Sequence, residues 1–329
     1  MKLKIMALLQ CPRCAGAFTL TSLVEDQREV RRGLLICERD QSHSYEIEDG
    51  IIRMSAGFDH HAVQKELEYD NSTYHGDDRL TDDKFVAQFP DRLAELWPHI
   101  RYFGPDFKVL IDRLNIQPGS WVLDIGTGPC WSSRLLAQQN CNVIAQDIND
   151  ANYYGLKTSD ILFAAHDVYF DRILESMTHL PFKNESIDYI TFNASFHHTP
   201  DMAKTLVECE RVLKPGGIIA MANEELVSLR QKLFAPKSGT ITGSHQSIPY
   251  SDLERAIKKN GLVPEFYLAG HVQETLKKKL PRTVGNWIVK TLETFPLLLK
   301  QLNSALILLR KPGQLKTTAP AEPSFEMKR

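Results

Sequence analysis

A doubly wound α/β fold with a mostly parallel sheet, joined to a small cysteine-bearing β unit, is what the sequence predicts, on three observations. Trp121-Val122-Leu123-Asp124-Ile125 reads as a strand buried on both faces that breaks into Gly126-Thr127-Gly128. After a helix over Cys130–Gln139, Asn142–Asp147 reads as the next parallel strand, with Asp147 at its carboxyl end about 20 residues past the glycines. Near the start, Cys11-Pro12-Arg13-Cys14 is a metal half-site or a redox pair, set among short strands.

The glycine corner decides the class of ligand. Gly126 and Gly128 let the backbone turn and approach a bound molecule, and the following helix turns its N-terminus back on the loop. A dinucleotide fingerprint ends on a third glycine, whereas this chain has Trp131 there. Asp124 would also repel a pyrophosphate. A carboxylate at that place suits a hydroxylated, cationic nucleoside without phosphates, and S-adenosyl-L-methionine is one.

On this acid-G-x-G stretch the chain resembles the class I S-adenosylmethionine-dependent methyltransferases. Leu180-Pro181-Phe182, Ser186-Ile187-Asp188-Tyr189-Ile190 and Arg211-Val212-Leu213-Lys214-Pro215-Gly216-Gly217 resemble later motifs of the methyltransferase type 11 group. The resemblance covers about residues 105–270 and implies a seven-stranded sheet with an antiparallel last strand. It also implies that Asp124, Gly126, Thr127 and Gly128 hold the methionine end of the cofactor, Asp147 its ribose, and Ser176 with Met177 its adenine, while Asn193 lies beside the sulfonium. The family often has an aspartate where Ser176 stands; Glu175 supplies a carboxylate if the register slips by one.

At 329 residues the chain has room for two domains, and 43% hydrophobic with 24% charged residues is ordinary for a globular protein. A net charge of -2 gives no global attraction to nucleic acid or an anionic membrane. No apolar run reaches the roughly 20 residues of a bilayer span. Met1–Gln10 lacks the apolar length and cleavage site of a secretory signal, and the six cysteines do not form a disulfide framework, so a reducing cytoplasm is the expected home.

A thioredoxin-type pair opens a helix, whereas Ala15–Phe18 reads as a turn into a strand, so Cys11 and Cys14 point to a structural metal. Cys37 follows a second strand and is the third ligand. His43 is the expected fourth, with Asp40 as runner-up, and the metal is zinc. Tyr45–Ile52 completes a resemblance to the zinc-ribbon that accompanies some methyltransferases.

Domain boundaries follow: a zinc-ribbon-like unit (1–55), a helical connector and lid (56–118), the methyltransferase domain (119–312) and a disordered tail (313–329). In the connector, 59–70 and 82–96 have the spacing of surface helices. Tyr69, Tyr74, His60 and His61 are within reach of the pocket, and Trp97, Tyr102 and Phe103 are packing residues. Arg172–Leu174 is the third strand of the parallel set and Ile187–Phe192 the fourth. The latter runs into Asn193-Ala194-Ser195-Phe196-His197-His198.

His197 or His198 has the pKa to take a proton from an oxygen or nitrogen nucleophile, or else caps the helix Met202–Leu213. Lys214–Gly217 reads as a turn, Ile218–Ala222 as the fifth strand, and 230–247 as a mobile insertion. Tyr250–Asn260 reads as a helix capped by Ser251 and closed at Gly261, and Leu262–Leu268 as the sixth strand. Two prolines interrupt helical spacing over 272–300, and 304–311 is the last strand. Cys130, Cys141 and Cys209 read as core.

The reading is a methyltransferase for an oxygen or nitrogen of a small-molecule or glycan-type acceptor, since no aromatic-basic tract marks a nucleic-acid site. Two alternatives stand beside it: an RNA methyltransferase that binds substrate through its ribbon, and a cofactor-binding partner without catalysis.

Overall fold

The computed structural model describes residues 1–55, 58, 61, 63–68, 77–227, 247–299 and 305–313. Its backbone is one eleven-stranded sheet in the order β1-β2-β3-β4-β7-β6-β5-β8-β9-β13-β12. The strands are β1 (Phe18–Glu25), β2 (Val30–Cys37), β3 (Ser44–Glu48), β4 (Ile51–Arg53), β5 (Trp121–Ile125), β6 (Asn142–Asp147), β7 (Asp171–Leu174), β8 (Ile187–Asn193), β9 (Leu213–Ala222), β12 (Val263–Leu268) and β13 (Ala305–Arg310). β10 (Leu226–Val227) and β11 (Ile248–Pro249) form a separate parallel pair.

The fold class is α/β as expected, and the seven expected strands are present as β7, β6, β5, β8, β9, β13 and β12, with the last strand of the chain, β13, antiparallel to both its neighbours. The sheet as a whole has eleven strands because β1 to β4 extend it. β4, β7, β6, β5, β8 and β9 run parallel, whereas β1 to β4 and the β9-β13-β12 edge pair antiparallel. The N-terminal strands therefore make no sheet of their own. β4 adds to the edge of β7, with Ile51, Ile52 and Arg53 opposite Arg172, Ile173 and Leu174. The physical reason is visible in two neighbouring residues. Ile51 and Ile52 are both fully buried, Ile52 with Leu35, Leu123 and Ile173 on one face and Ile51 with Val122, Val143 and Phe170 on the other. A strand apolar on both faces must lie inside a covered sheet, and each such side chain contributes about 1.5–3 kcal/mol.

An ion pair fixes the same seam. Glu29, in the β1–β2 connection, meets Arg172 of β7 with both side chains at most 2% exposed. Burial works to raise the Glu29 carboxyl, but Arg172 outweighs it and holds the group at about 2.

Around the sheet, the helix Phe103–Leu114 buries Phe107, Leu110, Ile111 and Leu114 at three- and four-residue spacing and closes on Asn115 at φ +47°. The expected surface helix over 82–96 is instead two single turns, Asp83–Val86 and Leu93–Leu96, flanking Pro90, which has no N–H to continue a helix. Their apolar residues Phe85, Val86, Phe89 and Leu93 face the core. The Lys214–Gly217 segment, expected as a turn, is an irregular part of β9, where Gly216 sits at φ +81°. Ser251 does not cap its helix, because Tyr250–Lys259 begins a residue earlier, after Pro249. Gly261 closes it at φ +66° as expected. The two prolines of the C-terminal region precede or open helices, giving Gly270–Lys279, Arg282–Thr294 and Pro296–Leu299. No helix among the described residues is long and apolar enough to cross a membrane.

Candidate functional site

The carboxyl ends of β5, β6, β7, β8 and β9 lie side by side, and β5 is the switch point, with β6 on one side and β8 on the other. Every residue expected at the cofactor site lies at or just beyond four of these ends, those of β5, β6, β7 and β8. Gly126 sits at φ +67°, and a side chain there would strike the Ser195 Cβ at 2.5 Å. Gly128, at φ +50°, is different. Nothing lies within 4 Å of the place where its Cβ would be, so its backbone faces open space. Asp147 borders that space, its Oδ2 accepting the Gly128 N–H at 2.8 Å and its Oδ1 the Asn149 N–H at 2.9 Å. Burial raises the Asp147 carboxyl to about 6 against the pull of these N–H groups.

Asp124 is 1% exposed and engaged on both oxygens. Ser132 and Ser133 donate to Oδ2 at 2.6 and 2.7 Å, and Thr191 donates to Oδ1 at 2.7 Å. Thr127, whose hydroxyl lies 2.9 Å from that of Ser133, belongs to the same cage. The acid thus holds the glycine loop to the first turn of the helix Trp131–Ala137 and to β8. The hydroxyls were in the sequence, and a strand-buried acid demands such donors.

At the end of β7, Glu175 is buried and accepts the Ser176 N–H at 2.8 Å. The Ser176 hydroxyl lies 2.9 Å from that of Thr178, and Met177 packs against the core. Asn193, at the end of β8, accepts from Asn223 Nδ2 at 2.8 Å. Glu224 gathers the turn beyond it, accepting the N–H groups of Ser195, Phe196 and His197 at 3.0–3.1 Å and meeting His197 Nδ1 at 2.8 Å. Burial lowers the His197 imidazole, but Glu224 prevails and raises it. His198 is 20% exposed, and its Nδ1 lies 2.6 Å from Glu66 Oε1.

Glu66 was not singled out in the sequence, whereas Glu224 belongs to Asn223-Glu224-Glu225, which the sequence puts near the pocket mouth after the fifth strand without assigning it a role. Glu66 sits in a stretch whose pattern is that of a solvated helix, so nothing local marked it. Of the lid residues named above, His61 is exposed, and His60, Tyr69 and Tyr74 lie outside the described residues, as do most of 230–247 and of the tail.

The four expected metal ligands also converge. The ligand atoms of Cys11, Cys14, Cys37 and His43 all lie within 4.8 Å of one another. Cys14 and Cys37 sulfurs are 3.3 Å apart, too far for a disulfide bond of about 2.05 Å. Cys11 Sγ is 3.5 Å from His43 Nδ1. With metal–sulfur bonds of about 2.3 Å, tetrahedral ligands stand about 3.8 Å apart, so these spacings fit. The Gly16 N–H points to the Cys14 sulfur, and the Arg39 and Asp40 N–H groups to that of Cys37. Asp40 does not join the ligands but stands 3.5 Å behind His43, on Nε2. That is where a carboxylate orients a metal-bound imidazole.

The residues just before the knuckle pair with the Pro181–Lys183 segment beyond β7. Gln10 N–H donates to Pro181 O at 3.0 Å and Lys183 N–H to Leu8 O at 2.8 Å.

Residues 123–221 match the family model of a methyltransferase domain. Sterol 24-C-methyltransferase of Schizosaccharomyces pombe is 29% identical over 186 residues, 52% of this chain and 47% of that protein. A demethylmenaquinone methyltransferase of Corynebacterium glutamicum is 26% identical over 156 residues, 47% of this chain and 60% of that protein. The chain thus spans about half the length of the curated relatives it matches. Among solved structures, phosphoethanolamine N-methyltransferase 2 of Haemonchus contortus with S-adenosyl-L-methionine superposes at a TM-score of 0.47 and 15% identity, over 76% of this chain and 60% of that one.

Proposed function

We propose, from the match of residues 123–221 to a methyltransferase domain, that the chain moves a methyl group from S-adenosyl-L-methionine to an oxygen or nitrogen of a small-molecule acceptor. One observation carries the choice of donor. Beside the open face of Gly128 the structure sets the Asp147 carboxylate, with Asp124 buried behind the loop. The open carboxylate, Asp147, suits ribose hydroxyls and opposes a pyrophosphate, while Asp124, satisfied within the protein, holds the loop in place. When bound, the sulfonium supplies an electrophilic methyl group.

The protein's own residues then have separate tasks. Asp147 accepts from the ribose, and Ser176 and Met177 wall the adenine. Gly126, Thr127 and Gly128 give the backbone surface for the methionine end, Asn193 borders the sulfur, and Asp124 fixes the loop. His198, held by Glu66 at the mouth, takes the proton of the acceptor, while His197 and Glu224 set the turn that presents it. Positioning supplies the larger part of the acceleration, because alkyl transfer from a sulfonium needs alignment above all. The relatives named above are a sterol and a demethylmenaquinone methyltransferase, which favours a small molecule over a glycan or RNA. The cysteine–histidine cluster is proposed as a structural zinc site, on the spacing of its four donor atoms and the Asp40 contact to His43.

Calorimetry tests the donor: the chain should take up S-adenosyl-L-methionine and not a nicotinamide dinucleotide. Labelled-methyl transfer to fractionated cell extract tests the acceptor. Label should enter a low-mass fraction and survive nuclease treatment; label in a nuclease-sensitive fraction would transfer the enzyme to RNA.

A further inference from the structure

We propose that the outer face of the helical pair Gly270–Lys279 and Arg282–Thr294 docks on an anionic lipid surface. Nothing in the methyl-transfer reading requires this, and it stands on separate observations. The second helix packs inward through Gly285 and Val289 and sends Glu293 to Arg113 at 2.8 Å. Its other side carries a second stripe, Val284, Trp287, Thr291 and Phe295, at steps of three, four and four residues. On it Trp287 is 67% and Phe295 56% exposed, and Leu297, just beyond, is 76% exposed. A tryptophan with most of its surface in water, in one stripe with the exposed Val284 and Phe295, marks an interaction surface.

Charge says which kind. Lys277, Lys278, Lys279, Arg282 and Lys290 are all exposed, against Glu274 and the already paired Glu293. A chain of net charge -2 thus concentrates positive charge around its exposed apolar stripe. Aromatic and aliphatic residues on one face with lysines at its border are the pattern of a helix lying in the headgroup region. Each such cation strengthens attraction to an anionic leaflet about fivefold. A second copy of the chain is the poorer occupant, since a two-fold contact sets these lysines against one another.

Flotation of the full chain with vesicles tests the proposal, comparing phosphatidylcholine alone with an equimolar phosphatidylcholine–phosphatidylglycerol mixture. Partition should be about tenfold or more higher on the anionic vesicles and fall steeply with salt. Trp287→Glu should lose about tenfold, and Lys277, Lys278 and Lys279 changed together to Glu about a hundredfold or more, with uptake of S-adenosyl-L-methionine unchanged in calorimetry. Should Trp287→Glu fail to fold, the wild-type minus Trp287→Phe fluorescence difference isolates Trp287, and brominated lipid should quench it. Equal partition on both vesicles, no partition, or no quenching overturns the proposal. So does a dimer in light scattering that Trp287→Glu abolishes, which would give the face to a second copy.

Discussion

The Asp124 cage and the Cys11–Cys14–Cys37–His43 cluster are both inward-facing polar groups drawn from distant segments, yet they are built on opposite principles. In the cage, one acceptor meets three hydroxyl donors and both its oxygens are satisfied within the protein. In the cluster, three sulfurs and an imidazole nitrogen, all electron-pair donors, crowd within 4.8 Å of one another. A closed cage is scaffold, and it places the glycine loop for something else to use. A ring of electron-pair donors has the chemistry of the structural zinc site proposed above. The distinction can be broken or sharpened by experiment.

The largest effect belongs to the cluster. Structural zinc supplies folding energy outright, so a strong chelator, or Cys37→Ser, should lower the melting temperature by about 10 °C. Calorimetry together with metal analysis of the purified chain checks this. A chain that contains no metal and ignores the chelator would erase the contrast between the two regions.

Next is the ion pair that holds the same strands to the sheet. Glu29→Gln takes from the buried Arg172 the more deeply buried of its two carboxylates, leaving only the half-exposed Asp160, and should cost about 3 kcal/mol in denaturant unfolding. Its pH dependence has a definite sign. The native carboxyl is held at about 2, below its ordinary value, so its stabilisation is complete above the unfolded pKa of about 4.5 and is lost as pH falls toward 2. The variant should lack that slope, and the chelator effect should persist in it.

Asp147 tests the open side of the cage, with a smaller effect that falls on binding. Asp147→Asn should weaken donor uptake by about tenfold to a hundredfold, a loss of one or two charge-assisted hydrogen bonds, with little change in melting. In the unaltered chain the carboxyl is raised to about 6, so donor affinity should fall as pH drops below that value and level off above it. Stability of the free protein runs the other way. A carboxyl whose native pKa is raised favours folding below its unfolded pKa near 3.8, and that contribution is lost as pH rises through about 6. Opposed slopes in binding and stability identify Asp147; parallel slopes would place the titration elsewhere.

What was legible in the sequence was local. Apolar runs gave β5, β6 and β8, the chain order gave Asp147 its place at a strand end, and the cysteine spacing gave three of the clustered donors. What was hidden was pairing over distance. β4 joins β7 more than a hundred residues away, and its one local sign was Ile51 beside Ile52, apolar on both faces. Glu66 was hidden for a different reason. Its stretch has the pattern of a surface helix, and only the fold brings it to His198.

The smallest prediction concerns the residue after the second glycine turn. Cys130 occupies the third small position of the loop at φ +58°, in the left-handed region, fully buried with its sulfur 3.6 Å from the Gly128 carbonyl oxygen. A side chain there costs about 1 kcal/mol in backbone strain that glycine avoids, while removing the sulfur costs packing. Comparing two substitutions separates the terms. Cys130→Ala loses the sulfur and keeps the strain, whereas Cys130→Gly loses nearly the same atoms and releases it. The glycine variant should therefore be the more stable of the two by about 1 kcal/mol in urea unfolding, reversing the order found in a helix interior. Equal stability would mean that the loop reaches its left-handed turn without strain, and that the Asp124 cage, not the residue at this position, sets its shape.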